Sequence, residues 1–350
     1  MTRELRTPAV PTTVQDSGTL ERADADMRLV IEKLIQLGAK PIGTQSVEET
    51  RRGPSPADAV KAVLRDQGKD PAALFAEMDV KRLDTTYPTA GGAQTIRIYT
   101  PGAPLVPLPV IVYIHGGGWV IANLDTYESS AMALAKKTGA IVASVEYRDA
   151  PEFRFPAAHE DTFAAYKWVL ENAAWLGGDP KRVAIAGESA GGNMAIDVAI
   201  RSRDDDVQMP LHMLLVYPVA GTDLTTPSYR QNDHAAPLSK LAMEWFIKNT
   251  MQSPDDLQDP RLNLYSEANL AGLPPATIIN AEIDPLASDG EMLAARLRAA
   301  GVKTKHQQYK GVTHEFFGMD AVVGNAARAQ DFAAQELKLA FESNVSRENW

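Results

Sequence analysis

The chain has no cysteine among its 350 residues. That excludes thiol nucleophiles, disulfides and cysteine-ligated zinc together, and it leaves the redox compartment open. A basic stripe is also missing. Lys and Arg number 35 against 45 Asp and Glu, a formal charge of -10, so a nucleic-acid partner is disfavoured. The nearest thing to a charge run, residues 201–206, carries both signs and reads as a solvated loop. No apolar run approaches the roughly 20 residues that span a bilayer. The opening thirty residues alternate charges and prolines, without the apolar core of a secretory signal. The expectation is a cytoplasmic protein with no membrane or nucleic-acid partner.

What remains is an ordinary globular composition, 45% hydrophobic and 23% charged, enough for one large α/β domain or two smaller ones. Residues 1 to about 20 read as a polar arm. Met27, Val30, Ile31, Leu34 and Ile35 recur at helical spacing, predicting an amphipathic helix over 24–37. Further helices are expected at 56–65, capped by Ser55 with Pro56 in the first turn, and at 71–78. This preface lacks a core of its own and should pack on the rest of the chain. Strands are expected at 80–86 and 95–99, parted by Ala90-Gly91-Gly92, and a β-branched run at 109–114 predicts a strand buried on both faces. Helix 127–138, strand 140–146, helix 159–174, strand 182–186, helix 190–202 and strand 211–217 come next. Strand 276–281, helix 285–300, strand 302–309 and helix 325–342 complete the series. Such alternation predicts a mostly parallel sheet covered by helices on both sides. Residues 219–262 interrupt it with a polar loop and one helix, 239–251, at the edge of the sheet where ligands bind.

Between a strand and a helix stands Gly187-Glu188-Ser189-Ala190-Gly191. A serine on so sharp a turn is strained, and only small neighbours let strand and helix approach. The pattern G-x-S-x-G is the nucleophile elbow, although by composition it should arise by chance about 0.1 times in a chain this long. A glycine-rich turn or a phosphate-cradling loop is the plainer alternative. Upstream, His115-Gly116-Gly117-Gly118-Trp119 directly follows the buried strand 110–114. Consecutive glycines present backbone N–H groups of the kind that stabilise an oxyanion, each worth on the order of 3 kcal/mol; a flexible turn is the alternative.

A serine hydroxyl needs a base, usually a histidine held by a carboxylate. Of six histidines, His115 belongs to the glycine loop, His159 opens a helix and should cap it or face solvent, and His212 and His306 fall in strands. His234 sits in the polar insertion. His314 lies in the loop after the last strand, at the edge where the elbow ends, and is the expected base. Asp284, just after strand 276–281, is the expected orienting acid. Glu282 and Asp289 are rivals assigned to structure. The order Ser189, Asp284, His314 is that of an α/β-hydrolase.

Over residues 80–340 the chain resembles the bacterial branch of the hormone-sensitive lipase family, carboxylesterases with an H-G-G-G loop and a G-D-S-A-G-G elbow. The resemblance extends to Tyr147-Arg148-Asp149-Ala150-Pro151-Glu152, Phe155-Pro156-Ala157-Ala158, Asp284-Pro285-Leu286, and Met243 with Trp245-Phe246. It implies an α/β-hydrolase fold and an oxyanion hole from the N–H groups of Gly117, Gly118 and Ala190. It also implies a helical cap made of residues 1–78 and the 219–262 insertion, over a catalytic domain spanning 79–350. A homodimer through the last strand and helix is a further implication. Glu188 stands where the family has Asp, and Glu315 where a glycine commonly follows the histidine. Glu315 could raise the pKa of His314.

The function expected is hydrolysis of short- to medium-chain esters, small-molecule substrates, by acyl transfer through Ser189, His314 and Asp284 without metal or cofactor. Trp119 and Glu188 are assigned to the substrate pocket, with a core position as the alternative for Trp119. Amidase or lactonase activity with the same triad, and a non-catalytic ligand receptor on this fold, are the other readings.

Overall fold

A computed structural model describes residues 18–348, with side chains through residue 343. The polar arm expected at residues 1 to about 20 lies almost wholly outside the described residues. Five helices come first: α1 (Thr19–Arg22), α2 (Ala25–Gln36), α3 (Val47–Arg52), α4 (Pro56–Asp66) and α5 (Pro71–Glu77). Polar side chains start four of them by accepting N–H groups that have no partner within the helix, as Asp70 does from Ala72 at the start of α5. Asp24 accepts from Met27, and Ser46 and Ser55 form capping boxes with Glu49 and Asp58. The helix α2 turns Met27, Val30, Ile31 and Leu34 inward. There they join Ala59, Val60 and Leu64 of α4 and the sheet-side residues Val312 and Phe316 in one apolar cluster. The preface therefore shares a core with the sheet, as its sequence suggested.

Beyond it run β1 (Val80–Thr89), β2 (Gly92–Pro101), β3 (Leu108–Ile114), α6 (Glu128–Thr138), β4 (Ile141–Val145), α7 (Ala157–Asn172), β5 (Gly178–Glu188), α8 (Ala190–Asp204) and β6 (Met213–Val216). After these come α9 (Pro227–Gln231), α10 (Lys240–Thr250), α11 (Leu264–Glu267), β7 (Ala276–Ile283), α12 (Ala287–Ala299), β8 (Thr304–Thr313) and α13 (Gly324–Glu348). The strands form one sheet in the order β1-β2-β4-β3-β5-β6-β7-β8. The pairs β1–β2 and β2–β4 are antiparallel and the other five are parallel. Val110, Val112 and Ile114 of β3 enter the apolar cluster on one face, Ile111 and Tyr113 the cluster on the other. Two buried faces explain a run without polar alternation. Among the described residues no helix is long and apolar enough to cross a membrane.

Three sequence expectations need correction, the first being the preface, which holds the short α1 and α3 besides the three helices expected. The last strand ends at Thr313 rather than 309, because a register shift after Ala281 lets Ile283 pair with Thr313. The insertion holds α9 and α11 besides α10. At five and four residues these are too short to display a helical period. One consequence positions the whole site: the parallel strands β3, β5, β7 and β8 deliver His115, Ser189, Asp284 and His314 to one edge, each as the residue after the strand's end.

Truncating Ile31, 1% exposed, should cost about 2–4 kcal/mol in urea unfolding as Ile31→Ala. Leu29→Ala, on the 46% exposed face of the same helix, should stay within about 0.5 kcal/mol. Equal effects would mean that α2 is not anchored through this face.

Candidate active site

The elbow is built by steric exclusion. Ser189 has φ 56° and ψ -119°, a conformation that costs a non-glycine residue about 1–3 kcal/mol. Its N–H donates to Val216 O at 2.9 Å, and its carbonyl accepts from Val219 at 3.1 Å, which ties the strained residue to the end of β6. A Cβ on Gly187 would lie 2.1 Å from Gly191 O, and one on Gly191 would lie 2.1 Å from Ile114 O. Both glycines are required by backbone contact, which no side-chain adjustment relieves.

The three residues expected from separate loops are brought together. His314 Nε2 is 3.0 Å from Ser189 Oγ, and His314 Nδ1 is 2.7 Å from Asp284 Oδ2. Asp284 Oδ1 accepts from the Leu286 N–H at 2.8 Å, and Asn232 donates to the Asp284 carbonyl at 2.9 Å. Ser189, His314 and Asp284 are all buried. Burial pulls the His314 pKa down, but the Asp284 charge and hydrogen bond, then Glu315 and Glu188, outweigh it. The net shift is upward from 6.5. The rival carboxylates fix loops instead. Glu282 accepts from Gly311 N–H, and Asp289 accepts from Ala220 and Gly221.

The glycine loop lies beside the serine. Gly117 has φ 103°, and a Cβ there would sit 1.9 Å from Ile121 O. Its carbonyl accepts from Val120 and Ile121. The N–H groups of Gly117, Gly118 and Ala190 donate to no other described residue. His115 stacks on Tyr147 with ring centroids 4.4 Å apart, and the Tyr147 hydroxyl lies 3.0 Å from Gly116 O. From the preface, Arg51 donates to Val120 O and Ala150 O at 2.8 Å each and to Glu152. No sequence motif marked this clamp, since a lone arginine on a six-residue helix has no pattern.

Ser189, His314, Gly117 and Gly118 open onto a cavity of about 450 Å³. The preface contributes Leu34, Ile42 and Pro54 to its walls, the insertion Leu238 and Phe246. Tyr127, Glu146, Asp149 and Glu315 also line it; apart from Glu315, sequence reasoning gave these no part in the site. Among the described residues no group of three or more His, Asp or Glu side chains is arranged to hold a metal ion.

Both residues assigned to the pocket are corrected. Trp119 is 2% exposed and joins the apolar core, near His159 and away from the cavity lining. The peptide at Gly117 and Gly118 faces the cavity, and the next side chain turns back into the protein. Glu188 is 1% exposed and also absent from the lining. It points beneath the elbow, where Tyr113 donates to Oε1 at 2.6 Å and Tyr217 to Oε2. The longer side chain reaches two tyrosine hydroxyls rather than substrate. His159 is corrected as well. It is 1% exposed, with Nε2 2.9 Å from Asn193 Oδ1, so it ties α7 to α8 instead of capping a helix in solvent.

Comparison with known proteins agrees with this architecture. The sequence profile of the alpha/beta hydrolase fold matches residues 111–318. The chain is similar to Carboxylesterase NlhH of Mycobacterium tuberculosis, 38% identical over 290 residues, covering 82% of this chain and 90% of that protein. It is also similar to Ethyl acetate hydrolase of Pseudomonas putida, 32% identical over 239 residues, covering 67% of this chain and 75% of that protein. Among solved structures, the hyperthermophilic esterase of Pyrobaculum calidifontis superimposes with a TM-score of 0.77 at 32% identity, covering 89% of this chain and 97% of that one.

Burial pushes the Glu188 carboxyl up from 4.5 to about 7, against the tyrosine hydrogen bonds that lower it. A carboxyl whose folded pKa is raised binds more protons in the folded state, so it costs stability as pH rises from 4.5 to about 7. Glu188→Gln removes that slope. The stability of the variant relative to wild type should rise across this window by on the order of 1 kcal/mol for each pH unit, read by urea unfolding at several pH values. Parallel pH profiles for the two proteins would contradict the burial argument.

Proposed function

The chain belongs to the alpha/beta hydrolase fold family and is a carboxylesterase of the kind that resembles hormone-sensitive lipase, and from that premise we propose a short- to medium-chain esterase acting through Ser189, His314 and Asp284. The observation that carries this reading is the continuous pair of contacts, 3.0 Å from Ser189 Oγ to His314 Nε2 and 2.7 Å from His314 Nδ1 to Asp284, at the wall of a cavity large enough for a small ester.

In the proposed mechanism, His314 Nε2 takes the Ser189 proton as Oγ attacks the ester carbonyl. Asp284 fixes the tautomer with the proton on Nδ1 and stabilises the imidazolium. The tetrahedral oxyanion is bound by the N–H groups of Gly117, Gly118 and Ala190, which have no described protein acceptor. His314 then returns its proton to the departing alkoxide, leaving the acyl group on Ser189. Water enters, gives a proton to His314 and attacks the acyl-enzyme; the carboxylic acid leaves as Ser189 recovers its proton. Within the 1–78 segment, the described residues from Gly18 onward act with the 219–262 insertion as a cap over the 79–350 catalytic domain, a reading supported by the cavity walls that residues 34–56 and 237–246 supply. The modest cavity volume favours small acyl groups, in keeping with a relative named for ethyl acetate.

Ser189→Ala should lower kcat for p-nitrophenyl butyrate by about 10⁴-fold or more, and Asp284→Asn by about 10⁴-fold through loss of the tautomer. Retention of wild-type hydrolysis by Ser189→Ala would overturn the assignment. The pH profile supplies a second check. Only neutral His314 accepts the proton, so kcat/KM should fall as pH drops through its pKa, with the midpoint above the ordinary 6.5. A midpoint below 6.5 would contradict the charge balance drawn around the imidazole.

A further inference from the structure

Glu315 lines the cavity next to the imidazole and has no part in the proposed mechanism. It follows His314 with φ 71°, a left-handed conformation that costs a non-glycine residue on the order of 1 kcal/mol or more. Its Oε1 accepts from the Tyr127 hydroxyl at 2.5 Å and lies 3.8 Å from His314 Nε2. That same nitrogen is 3.0 Å from Ser189 Oγ, so a carboxyl group stands two contacts away from the nucleophile. Its second oxygen, Oε2, has no hydrogen-bond partner among the described residues. The side chain keeps 21% of its surface exposed and lines the cavity. Tyr127 thus fixes one oxygen, while the other is left unbonded on a side chain that lines the cavity.

The remaining charges of the cavity reinforce it. Glu146 and Asp149 share the lining, and Asp149 Oδ1 is buried without a hydrogen-bond partner. Of the cations, Arg51 is committed to Glu152 and to two backbone carbonyls, and Lys40 is exposed to solvent. A neutral ester filling this cavity would cover Oε2 and leave it without a donor, at a cost typical of a buried unpaired polar group. An anionic substrate would meet three carboxyl groups. A substrate ammonium supplies both the missing donor and the compensating charge.

We propose that Glu315 is a specificity-determining residue that directs the enzyme toward esters carrying an ammonium group a few bonds from the scissile carbonyl. This rests on the reading of Ser189 and His314 as the reacting pair. The positive end of the substrate sits against Oε2 while its carbonyl meets Ser189. Burial raises the pKa of Glu315, opposed by the charge of His314 and the Tyr127 hydrogen bond; a bound cation keeps the group ionised.

The test uses a matched pair, 2-(dimethylamino)ethyl butyrate and 3-methylbutyl butyrate, in which a protonated nitrogen replaces a CH of the same shape. The kcat/KM ratio of cationic to neutral ester is measured at neutral pH for wild type, Glu315→Gln and Glu315→Gly. Intrinsic reactivity of the esters cancels when proteins are compared, as does any common effect of the variants on His314. The ratio should fall about tenfold from wild type to Glu315→Gln, through loss of a desolvated charge pair, and fall likewise in Glu315→Gly, which removes the left-handed strain and keeps the variant folded. A ratio within twofold of wild type in both variants overturns the proposal. If Ser189→Ala is inactive on both esters in that case, the reacting pair stands and only the role of Glu315 is lost.

Discussion

The backbone contact between the elbow and the neighbouring strand is the constraint on which the rest of the site depends. Gly191 passes so close to Ile114 O, and Gly187 to Gly191 O, that a single methyl group at either place would lie 2.1 Å from a carbonyl oxygen. That approach forces Ser189 into its strained conformation and fixes the start of α8 against the end of β3. The serine hydroxyl, the glycine loop and the N–H of Ala190 are therefore positioned by the same contact. The strain is held by the burial of α8, whose residues from Ala190 to Ala199 are all buried, and by hydrogen bonds to Val216 and Val219. Opening the elbow would expose that helix, a loss far larger than the strain relieved.

Electrostatics add a second layer. One imidazole is surrounded by three carboxyl groups with different partners. Asp284 bonds it directly and is itself oriented by a backbone N–H. Glu188 is held beneath the elbow by tyrosine hydroxyls, and Glu315 is held by a third tyrosine at the cavity wall. Burial works against charge on both glutamates, while their field favours charge on His314. Protonation of the imidazole and of the glutamates is therefore coupled, with neutral hydroxyls damping the repulsion between the carboxyl groups. A fourth group, the Asp289 carboxyl, is raised to about 8 by burial despite two backbone donors, and it secures the loop after β6 rather than the imidazole.

Much of this was legible in the sequence because the parts that matter are local. The elbow, the glycine loop, Asp284 and His314 each follow a strand end, where strand-forming residues give way to turn residues. Ser55 with Pro56 likewise marked the start of α4, and the inward face of α2 was written at helical spacing. What sequence did not reveal is the direction of side chains at turns. Trp119 and Glu188 adjoin the right loops but point into the interior, since one residue of backbone rotation decides which side of the turn a side chain occupies. His159 was misread for a related reason. Its helix has polar neighbours in sequence, and only the packing of α7 on α8 gives it Asn193 as a partner. Arg51, Tyr127 and Glu146 come from distant segments without any motif, and the fold alone brings them to the cavity.

Every proposed step depends on Ser189 as the nucleophile, made reactive by its position rather than by its neighbours in sequence. Stoichiometric treatment with an aryl phosphate ester such as paraoxon, followed by peptide mass spectrometry, tests this directly. One phosphoryl adduct per chain on Ser189, with esterase activity lost in proportion to labelling, is the result predicted. An adduct on another residue with full inactivation, or complete labelling of Ser189 with activity intact, would contradict it.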